Sequence, residues 1–137
     1  MKRRVAVWSR DGRGGLELSE PRLTGRGIFR CTATLTVEGE ASSVELEMIT
    51  PYRWMWLEYF CELADQLEGW RGRKIWESEF SELALASAND GSGSIEIAVL
   101  MQWPPTYEPD RRGTLLIEAA DLVRIRDELR LFLRMQG

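Results

Sequence analysis

The chain has no histidine, so the commonest general base, the usual activator of a serine or cysteine nucleophile and the best zinc ligand are all missing. Cysteine is scarce. Cys31 and Cys61 are too few for a disulfide scaffold, and the apolar neighbours of each suggest reduced core thiols. No apolar run approaches the roughly 20 residues of a membrane span. Met1-Lys2-Arg3-Arg4 leads into a charged hairpin rather than the apolar stretch of a signal peptide, so the expectation is a soluble, cytoplasmic protein without membrane contact. Also missing are a Gly-x-Ser-x-Gly elbow, a P-loop and any acidic cluster with a metal-binding spacing. Nothing points to an enzyme, a metal site or a cofactor.

What the chain does have is enough apolar residue for one core: 44% apolar and 29% charged side chains over 137 residues fit a single domain spanning 1–137. The net charge of -4 is unevenly spread. Residues 1–30 carry eight basic and three acidic side chains, a net +5, which leaves ten against nineteen, a net -9, for residues 31–137. A basic face able to neutralise phosphates is confined to a short arginine-rich segment, so nucleic acid is not the expected partner.

Alternating apolar and polar residues mark strands near 4–9, 15–20, 29–37, 44–48, 74–77, 82–86, 94–103 and 113–118. Arg10 to Gly14 and Glu38-Gly39-Glu40 are the turns of two hairpins, and Asn89-Asp90-Gly91 marks a third. Thr50-Pro51 starts a helix, with the hydroxyl as N-cap and proline in the first turn, and Gly69 ends it. Over 51–68 the helical period puts Trp56, Leu57, Phe60, Leu63, Ala64 and Leu67 on a core side. A second amphipathic helix over 119–135 buries Leu122, Ile125, Leu129 and Phe132. The fold class is α+β: an antiparallel meander of about eight strands with two helices on one face. The halves match weakly at an offset of 67 to 70 residues, pairing Trp8 with Trp76, Leu16 and Leu18 with Leu83 and Leu85, and Leu46 and Met48 with Leu115 and Ile117. Two ββββα units give that order.

Three features are candidates for function. Opposite the core side of the first helix lie Glu58, Glu62 and Asp65, with no basic residue between Trp54 and Trp70 to pair with them, and with Trp54 and Met55 on the flanks. Aromatic and methionine side chains beside unpaired charge suit an interface. Trp103 and Tyr107 sit in a loop stiffened by Pro104, Pro105 and Pro109, where preorganised aromatics lose little entropy on binding. Both faces of the second-half strands are apolar, since Ala84, Ala86, Ala98 and Leu100 lie opposite Leu83, Leu85, Ile97 and Val99. Such a face needs cover from a curled sheet or from a second subunit in a homodimer. The remaining tryptophans Trp8, Trp56 and Trp76 read as core anchors. The carboxylate pairs Glu77 with Glu79 and Glu108 with Asp110 read as solvated surface.

The run Trp76-Glu77-Ser78, then Leu83-Ala84-Leu85, Ala88, Asp90-Gly91, Gly93, Ile95, Ile97 and Val99, then a strand ending in Glu118 and an amphipathic helix, resembles a family of small uncharacterised bacterial proteins. That family is loosely similar to immunity proteins of the WapI type. The resemblance spans about residues 70–135. It departs from the family pattern at Gly93-Ser94, where Gly-His is frequent, and no site residue is carried over. It implies a non-enzymatic interaction protein. Together with the acidic helix face, it gives the expectation of a protein-binding domain for a basic partner such as a toxin, held at Trp54, Met55, Glu58, Glu62, Asp65, Trp103 and Tyr107. The other expectation is a small-ligand or sensory domain with a pocket between sheet and helices.

Overall fold

The structure is a computed structural model that describes residues 3–134 apart from Pro109, and of Thr50 the backbone alone. Four strands and a helix are followed by four strands and a helix. The first half is β1 (Arg4–Trp8), β2 (Gly14–Leu23), β3 (Ile28–Val37), β4 (Glu40–Ile49) and α1 (Thr50–Ala64). The second is β5 (Lys74–Glu77), β6 (Leu83–Asn89), β7 (Ser94–Met101), β8 (Arg111–Glu118) and α2 (Asp121–Leu133). The expected α+β class and the ββββα order hold, but the single meander does not. There are two separate four-stranded antiparallel sheets, ordered β1-β2-β3-β4 and β5-β6-β7-β8.

Side chains of the second half explain the break. The free edge of β4 is occupied by groups that β5 would have to displace to continue the sheet. The Glu47 N–H donates to Glu82 Oε2 at 3.0 Å and the Ile49 N–H to Glu79 Oε1 at 2.8 Å. The Trp103 indole N–H donates to the Ser43 carbonyl at 2.8 Å. Buried Glu82 also accepts from Ser78 Oγ at 2.7 Å, so its carboxylate is held between the halves by hydrogen bonds that offset its desolvation. An exposed strand edge is a template for unwanted pairing, and these contacts blunt it.

Strict alternation decides which residues meet. The inner faces present Val5, Val7, Leu16, Leu18, Cys31, Ala33, Leu46 and Met48 from the first sheet, and Leu83, Leu85, Ile95, Ile97, Val99, Leu115 and Ile117 from the second, all buried. Each large aliphatic side chain so removed from water contributes roughly 1.5–3 kcal/mol. The sheets meet where β8 runs against β1, β2 and β3. Gly113 lets β8 approach that closely, because a Cβ there would lie 3.0 Å from Val37 Cγ2. One main-chain bond, from the Arg10 N–H to the Leu116 carbonyl at 2.8 Å, ties the sheets at their margin.

The helices pack on each other, α1 also on β3 and β4, and α2 also on β1 and β8. In α1 Trp56, Phe60, Leu63 and Ala64 are buried as expected and Leu57 is half-buried, but the helix ends at Ala64 rather than 68, so the half-buried Leu67 lies in the turn beyond it. Tyr59, absent from the expected stripe, is buried. The helix starts one residue before the expected point, so the cap position falls on Ile49, which supplies no side-chain bond; the Thr50 hydroxyl lies outside the described side chains. In α2 the expected Leu122, Ile125, Leu129 and Phe132 are buried, and Leu133 joins them. The last expected helical residue, Met135, lies outside the described residues.

Tryptophan placement needs one correction. Trp56 and Trp76 anchor the core, stacked with centroids 4.4 Å apart and planes 5° from parallel. Trp8 is 52% exposed. It ends β1 on the outward face and lies over Gly15, where a Cβ would come within 2.5 Å of the ring. Pairing Trp8 with Trp76 is therefore wrong in parity, because residues 68 apart fall on opposite faces here. Leu16 and Leu18, Leu83 and Leu85, and Leu46 and Met48 with Leu115 and Ile117 all point inward. β2 also runs further than expected. It continues through Pro21 by a register shift between Ser19 and Arg22, a bulge at which proline forfeits no ladder bond.

Candidate functional site

The outward side of α1 forms one continuous exposed stripe: Tyr52, Met55, Glu58, Glu62 and Asp65, spaced three, three, four and three residues apart. At about 100° per residue the five side chains follow an exposed strip that winds across roughly 140° of the helix, from Tyr52 at one margin to Asp65 at the other. Its first half is aromatic and thioether; its second half is acidic. Met55 is 53% exposed. The expectation that no cation pairs with the carboxylates needs correction, since Glu62 Oε1 lies 2.6 Å from Lys74 Nζ, reaching over from β5. No ion pair is formed by Glu58 or Asp65 among the described residues, and no basic residue of α1 lies in the last turn.

Trp54 is not on the open flank where the helical wheel puts it. It is half-buried, with the Arg53 guanidinium 4.8 Å from its ring centroid. Arg53 itself is buried and also stands 5.7 Å from the Phe29 ring. Its Nε and Nη1 have no hydrogen-bond partner among the described residues, and burial lowers its pKa. Two aromatic faces thus do what a carboxylate does for most buried arginines. An arginine on the inner side of an amphipathic pattern is read as a flaw in the pattern, which is why the sequence did not single it out.

Tyr59 is a second residue that periodicity misses. Its hydroxyl donates to the Lys74 carbonyl at 2.8 Å and lies 2.6 Å from Ser87 Oγ, joining α1 to β5 and β6. Burial pushes its pKa up to about 12. The cysteines divide. Cys31 is fully buried and burial pushes its thiol far above the usual range, which leaves it without reactive thiolate. Cys61 is half-buried rather than a core thiol, and Arg130 Nη2 is 4.0 Å from its sulfur.

In the proline-rich loop both aromatics are engaged at home. Trp103 is half-buried on β4 through the bond to Ser43, and the Tyr107 hydroxyl donates to the Phe80 carbonyl at 3.1 Å. Gln102, Thr106, Tyr107, Glu108 and Asp110 border a wide open depression of about 910 Å³. The carboxylate pairs are not paired in space: Glu77 accepts from Ser81 Oγ, Glu79 from the Ile49 N–H, and Asp110 faces Arg112 at 3.2 Å. Between the sheets and the helices, the void lined by Val7, Leu18, Trp56, Phe60, Leu85 and Ile125 measures about 10 Å³, room for about one water.

The outward faces of the two sheets differ. On the first, Glu17, Ser19, Thr32, Thr34, Thr36, Ser43 and Glu45 stand in register. On the second, the central row is Ile75, Ala86, Ala98 and Thr114, and the next row is Glu77, Ala84, Leu100 and Arg112. The alanines floor a groove of about 400 Å³. Ile75 is 70% exposed and Leu116 48%.

The chain belongs to the family of unknown function DUF6228, whose model matches residues 7–136. No curated protein matches it in sequence. Among solved structures it is similar to MRP1/MRP2 of Trypanosoma brucei, at 12% identity and a TM-score of 0.47, over 96% of this chain and 83% of that one. WHY1 from Arabidopsis thaliana shows 9% identity and a TM-score of 0.47, covering 97% and 89%. The plant transcriptional regulator PBF-2 shows 9% and 0.47, covering 97% and 81%. At that distance they bear on no functional question. Among the described residues, no helix is long and apolar enough to cross a membrane, and no three histidine, cysteine or acidic side chains converge on a metal position.

Proposed function

We propose that this member of the family of unknown function DUF6228 is a non-enzymatic protein-binding domain that docks a basic protein on the outward stripe of α1, in the manner of an immunity protein neutralising a basic toxin. The observation that supports this reading is the stripe itself: Tyr52, Met55, Glu58, Glu62 and Asp65 are all exposed on one winding strip, and among the described residues only Glu62 of its carboxylates has a cation beside it. The two ends of the stripe serve successive stages of binding. Glu58 and Asp65 set a negative field that steers a basic surface toward the helix and acts within a Debye length of about 8 Å at physiological ionic strength. Tyr52 and Met55 then lose their water against the partner, which governs how long the complex lasts. The resemblance of residues 70–135 to relatives of WapI-type immunity proteins supports the same reading, as does the near-absence of free space between sheets and helices.

Charge reversal tests it. Glu58→Lys with Asp65→Lys leaves Glu62 on Lys74 and so keeps the fold. The basic protein captured from the native host by the wild-type chain should then associate with the variant at least about tenfold more slowly, while Met55→Ala mainly speeds dissociation. An unchanged association rate for the double-lysine variant contradicts the proposal.

A further inference from the structure

We propose that the outward face of β5–β8 is a self-association surface, on which two copies of this chain pack sheet to sheet about a two-fold axis parallel to the strands. The face is apolar where a solvated sheet is polar: Ala84, Ala86, Ala98 and Leu100 form its floor, and Ile75 and Leu116 stand exposed above it. Antiparallel sheets with one free face ordinarily carry polar residues there, so a floor of alanine and leucine lacks the usual solvation. The inward face of the same strands is already filled by the core.

The occupant follows from the arrangement of charge. Of the charged groups on this face, Arg73 and Glu96 neutralise each other at 2.8 Å. Glu118 lies 3.8 Å from Arg10. The remaining charges are Glu77 at the β5 edge and Arg112 at the β8 edge, whose guanidinium has Asp110 at 3.2 Å yet stays 74% exposed, in one cross-strand row with Ala84 and Leu100 between them. A two-fold axis running along the strands between β6 and β7 lays each row on its own reverse. Glu77 of one copy then meets Arg112 of the other, twice. The next row brings Ala86 over Ala98 and Ile75 over Thr114, setting the most exposed apolar side chain of the face against the groove of the second copy. A self-complementary patch of this kind is what an isologous interface requires.

Small side chains at the centre let two such sheets approach to roughly the 10 Å of a sandwich. With 4, 7, 8 and 8 residues in β5 to β8, each occupying about 4.8 Å by 3.4 Å, the face is roughly 440 Å² per copy, or about 900 Å² in all. That is below the standard size of a stable interface, so the dimer is a weak one that forms only as the concentration is raised. The inference stands apart from the proposal for α1. Successive residues of β5 divide the surfaces, Lys74 turning toward Glu62 on α1 and Ile75 toward the opposite side of the sheet.

Sedimentation equilibrium between about 1 and 300 µM tests it. The wild type should pass from monomer to dimer across that range. Glu77→Arg alone and Arg112→Glu alone should each weaken the dimer at least about tenfold, and the two together should restore it, because the exchange rebuilds both cross-copy pairs. Circular dichroism verifies that these exposed substitutions keep the fold. A wild type that stays monomeric at the top of the range overturns the inference. So does a double variant no tighter than either single one, or a dimer indifferent to all three substitutions.

Discussion

The two sheets share a topology and a pattern of inward residues, yet their outward faces have opposite chemistry. Third in the first sheet, β3 presents Thr32, Thr34 and Thr36 to solvent, with Thr34 Oγ 2.8 Å from Ser43 Oγ and with Arg22 and Arg30 paired to Glu45 and Glu47 nearby. Third in the second sheet, β7 presents Glu96, Ala98 and Leu100. Packing constrains the inward set in the same way in both halves, because each inward side chain must fill space against the other sheet and the helices. Nothing about folding constrains the outward set so tightly. A difference confined to that face therefore marks what the halves do rather than how they fold, and apolar surface left open is the feature that calls for a partner.

The first way to break that comparison is to show that the inward faces are not equivalent. Leu18→Ala on β2 and Leu85→Ala on β6 both remove a fully packed side chain, and each should cost about 2–5 kcal/mol in urea melts. If one of them is nearly neutral, the halves do not share a core.

A smaller effect concerns the tie between the halves. The Tyr59 hydroxyl belongs to α1 but bonds to Lys74 and Ser87, and its pKa is raised from 10.0 to about 12. The folded chain keeps the proton that the unfolded chain releases above pH 10. This contribution is therefore intact below pH 10 and is lost as the pH rises from 10 to 12, on the order of 2 kcal/mol in total. Stability measured across that window should fall less steeply in Tyr59→Phe than in the wild type. Equal slopes would mean that the hydroxyl is not buried between the halves.

Smallest is the effect of Glu62→Ala. The carboxylate is 54% exposed and its partner Lys74 sits at the sheet margin, so solvent screens the pair and its loss should cost less than about 1 kcal/mol. A larger loss in urea melts would make this pair a structural tie between α1 and the second half rather than part of an open stripe.

The strands were legible because alternation reports directly on the inward face, and Leu16, Leu18, Leu46, Leu83, Leu85 and Ile97 all fall where the period of two puts them. The break between the sheets was not. Periodicity says which way a side chain points and is silent on which edges pair, and the edge of β4 is closed by Glu79, Glu82 and Trp103 from distant parts of the chain. Trp8 misled because bulk alone suggests burial, while its parity on β1 places it outside. On α1 the acidic row was visible in the spacing of Glu58, Glu62 and Asp65. The Lys74 partner of Glu62 was not, because it comes from a strand twelve residues on, and the half-burial of Trp54 followed from Arg53, whose place on the core side of the wheel its charge argued against.

The outward faces themselves give the most direct test. Thr34 and Ala98 occupy corresponding central positions, each on the third strand of its sheet and each facing out. Sedimentation equilibrium of Thr34→Lys and Ala98→Lys compares them with one chemistry. The Thr34→Lys chain, with its new lysine beside Glu17, should dimerise like the wild type. The Ala98→Lys chain should remain folded and monomeric at concentrations where the wild type is dimeric. Equal association of the two variants would contradict the assignment of docking to the second sheet.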